Sequence, residues 1–219
     1  MMTTPNDQTV SKKLLHNRVI VVDDFYADPY AIREIALTAE YEEKSSGNYP
    51  GCNSIKNFWS EELTQSISQI TGELVDPEDQ PFCGKFRFIC KDDVAKQIIH
   101  FDPSPKQLWA GVIYLNLPEH CEGTNSGTTM YRHKASGMSV APFDHIEAQK
   151  IGVTTHEDMK VFFETEGLDR SLWSPDLKVD NKFNRLVLFR PWMWHAMEDH
   201  FGTDITNSRL TQLIFLNKK

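Results

Sequence analysis

The feature that most constrains the fold is a change of hydrophobic period near the middle of the chain. From Phe82 onward apolar and polar residues alternate, so that Phe86 and Phe88 fall on one face of an extended strand and the residues between and beside them on the other. Short strand-like runs lie at 19–22, 98–101, 108–117, 128–131, 185–189, 193–197 and 209–216. Many short strands with turn signals between them predict a mainly β protein, either a double-sheet jelly roll or a barrel, whose mouth can hold a ligand.

Two helices are expected before the strand-rich part. Asp28 is a good N-cap and Pro29 suits a first helical position, and apolar residues then recur at helical spacing to about Tyr41. A second helix is predicted to begin at Ser60 and to end near Gly72. The chain is therefore expected to pack N-terminal α-helices on one sheet of the β core.

Between residues 132 and 182 the strand pattern lapses. Met159, Val161, Phe162 and Phe163 supply apolar residues behind a capped helix start, but no alternating run is evident. Loops of this length inside a compact domain usually cover or form binding sites. We interpret 132–182 as an insertion and expect it to act as an active-site lid.

Composition narrows the class of protein. The 219 residues, 40% hydrophobic and 25% charged, suit one globular domain over 1–219. A net charge of −8 argues against a nucleic-acid partner. Residues 1–13 are polar, and the longest uncharged apolar stretch, 108–118, is too short for a membrane span. Four cysteines without C-x-x-C pairing suggest reduced thiols and a cytoplasmic location. The composition leaves open whether the protein forms a homodimer.

The first chemical motif is His100-Phe101-Asp102. Two potential ligands two residues apart leave the same face of an extended strand and can hold one metal ion. Pro103 biases Asp102 to an extended backbone. A His-x-acid triplet is expected about once by chance among 8 histidines and 31 acidic residues, so the motif depends on its strand context.

Two other triplets compete with it. In His156-Glu157-Asp158, Thr154 and Glu157 have the spacing of a helix capping box, so the ligands would diverge in a first turn. His145-Ile146-Glu147 lies in the irregular segment with no strand to orient it. We favour the His100 pair and interpret the other two as solvated surface.

His195 is the best third ligand, because it lies between two strand-like runs with strongly apolar flanks. A buried histidine there could equally be a hydrogen-bonded core residue, and His200, in a polar turn before Gly202, is the alternative ligand. Two histidines and one carboxylate on one face of a metal leave positions open, as in non-haem iron(II) oxygenases.

Arg209 and Thr211 share one face of the last strand. A planar guanidinium with a hydroxyl beside it suits the distal carboxylate of 2-oxoglutarate, and an arginine in so apolar a strand is costly to bury without an anion. The alternative is an edge-strand arginine paired with a surface acid. Candidates to attract a carboxylate-bearing substrate are Arg132, His133, Lys134 and Arg190, unless they are ordinary solvated residues.

In their order these residues resemble the iron(II)/2-oxoglutarate-dependent dioxygenases with a double-stranded β-helix core. The parts that match are the helices, His100-x-Asp102, the strand 109–116 (WAGVIYLN), the turn and strand 126–131 (SGTTMY), the strand 184–189 (NRLVLF), His195 and Arg209-Leu210-Thr211. The likeness covers about 19–217. It is closest to the small prolyl-hydroxylase-like branch and to a related domain family of unassigned function.

The resemblance implies a set of functional residues. It implies His100, Asp102 and His195 as Fe(II) ligands and catalytic centre, Arg209 with Thr211 as the 2-oxoglutarate site, and Tyr114, Asn116 and Tyr131 as weaker cosubstrate or substrate contacts. It also implies hydroxylation of a small-molecule or peptidyl substrate with O2, releasing succinate and CO2. Relatives often carry Lys at the Arg209 position, which disfavours proline as substrate, whereas the presence of Asp102 favours hydroxylation over halogenation.

Two other functions compete with this interpretation. One is a cupin-like metalloenzyme that does not use 2-oxoglutarate, and the other is a catalytically silent binding domain of the same fold. Dependence on 2-oxoglutarate separates them from an oxygenase.

Overall fold

The structure is a computed structural model that describes residues 18–44, 50–93, 96, 98–102, 106–121 and 123–219. Within these residues the chain is mainly antiparallel β-sheet with few helices. The expectations for Pro103 and for the polar stretch 1–13 lie outside the described residues.

The strands agree closely with the predicted runs, except that 98–101 makes only an isolated bridge. The described strands are β1 Val19–Val22, β2 Cys52–Asn53, β3 Val75–Asp76, β4 Phe86–Ile89, β5 Gln107–Tyr114, β6 Gly127–His133, β7 Trp173–Asp180, β8 Leu186–Phe189, β9 His195–Met197 and β10 Arg209–Lys218. The α-helices are α1 Pro29–Thr38, α2 Glu61–Thr71, α3 Pro118–Cys121, α4 His145–Gln149 and α5 His156–Glu164, and a 3-10 turn spans Arg170–Leu172.

The strands form two antiparallel sheets. In the described part of the chain the larger sheet has the order β1-β8-β5-β10-β4-β2, with β3 added at the end of β10, and the smaller has the order β7-β6-β9. Strand β10 is central, because it pairs with β5 over Thr211–Asn217 and with β4 over Arg209–Gln212. The larger sheet therefore brings β4, β5 and β10 side by side although they are far apart in sequence.

Alternation along β10 separates two environments. Leu210, Ile214 and Leu216 pack with Trp109 and Ile113 in a core that includes helix residues of α1 and α2. The odd-numbered residues of β10 point to the opposite face, where Phe215 packs in a second core containing Met130 and Val179 of the smaller sheet. One face of the larger sheet is thus covered by helices, and the other faces the smaller sheet.

The ends of the two long helices confirm the predicted caps. The Asp28 carboxylate accepts a hydrogen bond from the Ala31 N–H (3.0 Å), and the Ser60 hydroxyl accepts one from Leu63. Gly72 ends α2 in the left-handed region (φ 68°), where glycine has no steric penalty. Helices also occur later, at α3 to α5, so they are not confined to the N-terminal part. None of the helices in the described ranges is long and apolar enough to cross a membrane.

The segment 132–182 contains more regular structure than the sequence pattern indicated. Strand β7 pairs with β6 along its whole length, from Asp180 opposite Gly127 to Trp173 opposite His133. It escapes detection because its middle residues are exposed and because Pro175, at a register shift, interrupts the alternation. The cap of α5 is Thr155 with Asp158, one residue later than predicted. The role of the segment as a lid stays a prediction.

Arg190 makes a buried ionic contact within the protein. It is therefore not available to attract a substrate, which was one of the two interpretations of this residue from the sequence. Its guanidinium lies 3.0 Å from the Glu73 carboxylate and 3.8 Å above the Trp109 ring, and only 1% of the residue is exposed. Glu73 also accepts a hydrogen bond from the Trp109 indole N–H at 2.8 Å. This contact joins the end of α2 to the larger sheet.

We expect Glu73→Ala to lower the free energy of unfolding by about 3 kcal/mol, because it leaves the Arg190 charge buried without its carboxylate. Urea unfolding followed by tryptophan fluorescence measures this. Glu157→Ala is a matched control, since Glu157 lies on the surface and pairs with Lys160 at 3.0 Å; it should change the stability by less than about 0.5 kcal/mol. Equal urea midpoints for the two variants would contradict the structural role of Glu73.

Candidate metal and carboxylate site

Three side chains predicted as ligands lie together. His100 Nε2 is 3.7 Å from one Asp102 carboxylate oxygen, and His195 Nε2 is 3.9 Å from the other. One ligand atom from each residue lies within 4.8 Å of the others, and within the described residues this is the one such cluster that could hold a metal ion. The fold therefore brings two residues of one segment next to a third, His195, which lies 93 positions beyond Asp102 in the sequence.

Backbone pairing brings these residues together. The His100 N–H donates to the His195 carbonyl (3.0 Å), and the His195 N–H donates to the His100 carbonyl (2.8 Å). The Asp102 N–H donates to the Pro191 carbonyl at 2.8 Å. Directly opposed residues in an antiparallel pair project to the same face, so the two imidazoles meet with ring centroids 4.5 Å apart.

Both histidines are held in the same way by their own chain. Nδ1 of His100 lies 2.8 Å from the Ile98 carbonyl, and Nδ1 of His195 lies 2.9 Å from the Met193 carbonyl. A carbonyl oxygen can only accept, so each Nδ1 donates a hydrogen bond, and Nε2 is the nitrogen that presents a lone pair in the neutral imidazole. Such a hydrogen bond on the far nitrogen is the usual support of a metal-binding histidine.

Burial sets the ionisation of the cluster. Burial, with His100 adding to the effect, lowers the pKa of His195 to about 3, so its imidazole is neutral near pH 7. Burial also raises the pKa of Asp102, and the neighbouring His100 opposes that shift. A neutral imidazole is the form that binds a metal, and a divalent cation would relieve the cost of burying the Asp102 charge.

The histidine–carboxylate distances fit one metal ion. Metal–nitrogen and metal–oxygen bonds are about 2.1 Å, so two ligands of one ion lie at most about 4.2 Å apart. The two histidine–carboxylate separations, 3.7 Å to one Asp102 oxygen and 3.9 Å to the other, satisfy this limit. Two neutral imidazoles and one carboxylate are the donor set that non-haem Fe(II) sites use, with coordination positions left open.

These ligands line one wall of a cavity between the two sheets. It has a volume of about 120 Å³. Its lining residues are Pro50, Arg87, Ile89, Ile98, His100, Asp102, Gly111, Val112, Thr128, Phe189, His195, Met197, Arg209, Leu213 and Phe215. The cavity is thus mostly apolar, with a histidine–carboxylate cluster and two guanidinium groups.

Arg209 is buried in this cavity without a carboxylate beside it. Only 4% of the residue is exposed, and within the described residues no carboxylate lies within 4 Å of its guanidinium. Within the described residues its Nε has no hydrogen-bond partner, Nη2 makes a long contact of 3.4 Å to the Gly127 carbonyl, and the guanidinium also interacts with the Tyr114 hydroxyl. Burial lowers its pKa. An uncompensated buried cation with an unsatisfied donor is the property expected of an anion site in the ligand-free state.

The hydroxyl predicted beside Arg209 is that of Thr211, and the cavity lining contains Thr128 rather than Thr211. Thr211 is fully buried on the same strand face, but its hydroxyl lies 3.5 Å from the Arg87 carbonyl and the residue is not part of the cavity lining. Thr128 does line the cavity, and its hydroxyl is 2.7 Å from the Tyr114 hydroxyl. The Tyr114 ring is 5.5 Å from the Arg209 guanidinium, and Thr128 lines the same cavity as Arg209.

Asn116 and Tyr131 lie away from the cavity lining. The Asn116 amide donates to the Ser208 carbonyl, and its oxygen accepts from the Leu210 N–H (3.2 Å) and from Asn181 (3.0 Å), which ties β5 to β10. The Tyr131 hydroxyl contacts Glu198 (2.5 Å) and Arg170. Their polar groups are engaged within the protein, and a role in cosubstrate binding stays a prediction without support from their placement.

The competing ligands are dispersed. His145 and His156 begin α4 and α5, and neither belongs to the metal-binding cluster. His200 Nε2 lies 3.1 Å from the Asp93 carbonyl and is likewise outside it. The basic residues at 132–134 are also engaged elsewhere, with Arg132 on Asp176 (3.0 Å), His133 near Ser136 (2.9 Å) and Lys134 on the Ser171 carbonyl (2.7 Å).

Arg87 was missed as a site residue. It lines the cavity from β4, one strand from Arg209, and its Nε donates to Asn53 at 2.8 Å. The alternation at Phe86 and Phe88 already placed Arg87 on the face away from the helix-side core, and that signal could have identified it. The sequence alone did not indicate that this face borders the cavity.

Comparisons with known proteins give one family match. A model described as "Family of unknown function (DUF6445)" matches residues 5–216. No curated protein matches the chain in sequence. Among solved structures, the selenomethionine-labelled Fe(II)/α-ketoglutarate-dependent dioxygenase TqaL is similar with a TM-score of 0.48 and 12% identity, over 97% of this chain and 86% of that one. That likeness is too weak to transfer an activity or a residue's role.

Proposed function

The chain belongs to the family of unknown function DUF6445, so its activity has to be argued from the site, and we propose that it is an Fe(II)- and 2-oxoglutarate-dependent oxygenase. The observation that carries the proposal is that one cavity contains both the His100, Asp102 and His195 cluster and the buried, uncompensated Arg209. A metal site alone would suit many enzymes. A metal site that shares a cavity with an orphaned guanidinium suits a cosubstrate that is a chelator at one end and a carboxylate at the other.

The spacing along β6 supports this reading. Met130 pairs with His195, and the Gly127 carbonyl lies beside the Arg209 guanidinium. Three residues of a strand cover about 10 Å. A five-carbon dicarboxylate held by a metal ion at one end and by a hydrogen bond at the other reaches roughly this far.

The protein's own residues would then have separate tasks. His100, Asp102 and His195 hold the ion on one face, and Arg209, beside the Tyr114 ring, orients the distal carboxylate. When bound, the metal supplies the activation of O2 and of the keto acid, with succinate and CO2 as the products of the cosubstrate. Val112, Phe189 and Phe215 exclude water from the reacting atoms and contact the apolar part of the substrate.

The type of β core, the substrate and the cellular location are proposals too. We propose that the two facing sheets form a double-stranded β-helix core, with segment 100–102 and β9 providing the ligands from the smaller sheet. The substrate is proposed to be a small molecule or a peptide that is hydroxylated, and the protein to act in the cytoplasm, where thiols stay reduced.

The test is the addition of 2-oxoglutarate to the anaerobic Fe(II)-loaded protein. We expect a weak visible charge-transfer band, because the keto acid end chelates the ion. Glutarate is the matched control, since it keeps both carboxylates and lacks the keto group; it should compete for Arg209 without producing the band. Tight metal binding with no band and no measurable 2-oxoglutarate affinity in a folded sample would instead favour a metalloenzyme that does not use 2-oxoglutarate.

A further inference from the structure

Strand β1 forms an edge of the larger sheet. In the described part of the chain it pairs with β8 alone, over the whole of Val19–Val22. The Arg190 N–H donates to the Arg18 carbonyl at 2.9 Å, and bonded pairs alternate along an antiparallel ladder, so the even-numbered residues of β1 bond to β8. The backbone N–H and C=O groups of Val19 and Val21 therefore face away from the sheet.

The other edge strands carry features that hinder pairing with a further strand, and β1 does not. The exposed middle of β7 contains Pro175, Asp176 and Lys178, and its pairing with β6 has a register shift. Strands β2 and β9 are only two and three residues long. Prolines, charges, register shifts and short length are the usual protection of a sheet edge. Strand β1 has the sequence VIVV and an unbroken register, so its edge is open to a partner strand.

Apolar side chains beside this edge are exposed. Val21 of β1 and Ile35 of α1 are each 43% exposed. A groove of about 670 Å³ lies next to β1, between it and the helices, and its apolar lining includes Val22, Phe25, Ile32, Ile35 and Phe58. A stable dimer buries about 1,200–2,000 Å² in total, which is more than a four-residue strand can supply. A partner of sufficient size has to cover this neighbouring apolar surface as well as the strand.

Register and charge suit a second copy of this chain as that partner. Two β1 strands can pair antiparallel about a two-fold axis at Val21, because the backbone groups that face outward then meet each other. The same register brings Arg18 of one copy to the end of the other strand, where Asp24 is exposed. Among the described residues neither Arg18 nor Asp24 forms an ion pair, unlike Asp23, which lies 2.6 Å from Arg185.

We propose that the protein forms a two-fold symmetric dimer in which two β1 strands pair antiparallel about Val21 and join the larger sheets of the two copies. Ile20 of one copy then opposes Val22 of the other on the helix-covered face, and the apolar surface beside β1 is covered there. None of the described residues that line the metal-site cavity belongs to β1. The dimer is therefore independent of the proposed oxygenase activity.

The experiment measures the mass of the full chain by sedimentation equilibrium over a range of concentrations. We expect the wild type to have twice the mass of the chain. Val21→Glu places two carboxylates directly opposite each other at the axis and should weaken the dimer at least about 100-fold. Leu177→Glu is the matched control, because Leu177 is 44% exposed on another edge strand, β7, and this variant should stay dimeric.

An exchange of charges tests the register. Arg18→Glu puts a carboxylate beside Asp24 of the other copy and should weaken the dimer about tenfold. Arg18→Glu combined with Asp24→Lys restores opposite charges and should recover the affinity to within about threefold of the wild type. A local effect of either substitution on its own copy would not be rescued by the other.

Hydrogen exchange locates the interface. The N–H groups of Val19, Val21 and Asp23 should exchange slowly in the dimer and rapidly in the Val21→Glu monomer, whereas those of Ile20 and Val22, which bond to β8, should be protected in both. The wild type at high and at low concentration gives the same comparison without a substitution. Unfolding curves check that each variant is folded.

Three results would overturn the proposal. A wild type that stays monomeric at about 100 μM shows that β1 does not bind a second copy with useful affinity. A folded Val21→Glu protein that dimerises as the wild type does, or a dimer whose outward N–H groups exchange rapidly, places the interface elsewhere. A charge exchange that leaves the dimer as weak as Arg18→Glu alone shows that the axis is not at Val21.

Discussion

Asp102→Ala is expected to lower the metal affinity at least about 100-fold and to reduce 2-oxoglutarate turnover below detection. Asp102 is the carboxylate of the cluster, 3.7 and 3.9 Å from the two imidazole nitrogens, and within the described residues no other acidic group belongs to that cluster. Without it, two neutral imidazoles face the ion and its charge stays uncompensated. Titration with Mn(II) by calorimetry and succinate release with Fe(II) measure the two effects.

A second measurement separates a ligand from a merely structural residue. Burial raises the pKa of Asp102, so in the metal-free protein this carboxyl favours folding below its unfolded pKa, and that contribution is lost as pH rises through its folded pKa. At pH 7 the metal-free Asp102→Asn protein should therefore be at least as stable as the metal-free wild type. Metal at 100 times the wild-type Kd should stabilise the wild type by about 2.7 kcal/mol and Asp102→Asn by no more than about 0.4 kcal/mol.

Two outcomes would refute the ligand role. One is a metal-free Asp102→Asn protein that is clearly less stable than the wild type while its metal affinity is retained, which would make the residue structural. The other is 2-oxoglutarate turnover that survives in the alanine variant. Glu157→Ala serves again as the surface control and should bind metal normally.

Arg209→Gln is expected to weaken 2-oxoglutarate about 100-fold, with the loss carried by KM for the cosubstrate. Arg209 is 4% exposed, burial lowers its pKa, and among the described residues its Nε lacks a hydrogen-bond partner and no carboxylate forms an ion pair with it. A carboxylate that fills this position gains two parallel charge-assisted hydrogen bonds. Calorimetric titration of the metal-loaded protein with 2-oxoglutarate gives the affinity directly.

The matched variant is Arg209→Lys, which keeps the charge and loses the planar geometry, and it should lose about tenfold in affinity. Metal affinity in the absence of 2-oxoglutarate should stay the same in both variants, because Arg209 does not belong to the cluster of ligand residues. The free energy of unfolding should not fall, since the substitution removes an uncompensated buried cation. If Arg209→Gln binds 2-oxoglutarate with an affinity within twofold of the wild type, Arg209 does not bind the cosubstrate.

Much of the local structure follows from short-range patterns. The cap at Asp28, the glycine end at Gly72 and the alternation at Phe86 and Phe88 each depend on neighbours in sequence, and each corresponds to an element of the structure. Strand β7 could not be predicted in this way, because its middle residues are exposed and because an edge strand tolerates Pro175. A strand without an apolar face has no period to detect.

The residues of the candidate site also differ in whether a local sequence pattern or only the tertiary structure identifies them. The two-residue spacing of His100 and Asp102 is a local property, and the sequence alone indicated it. The sequence also favoured His195 over His200, from its place between two strand-like runs, and the backbone pairing of His195 with His100, which joins residues 95 positions apart, brings it to the other two. Arg87 needed the register of β4 on β10, which puts it across from Thr211 and into the cavity that Arg209 also borders.

The sequence by itself therefore determined the mainly β character, the helix ends and the His100–Asp102 pair, because side-chain period and capping act over a few residues. Only the tertiary structure showed that His195 meets the His100–Asp102 pair, that Thr128 rather than Thr211 lines the cavity, and that two arginines share this cavity with the histidines. Strand neighbours and register are set by hydrogen bonds and burial between distant segments, and no local pattern encodes which distant strand completes a sheet.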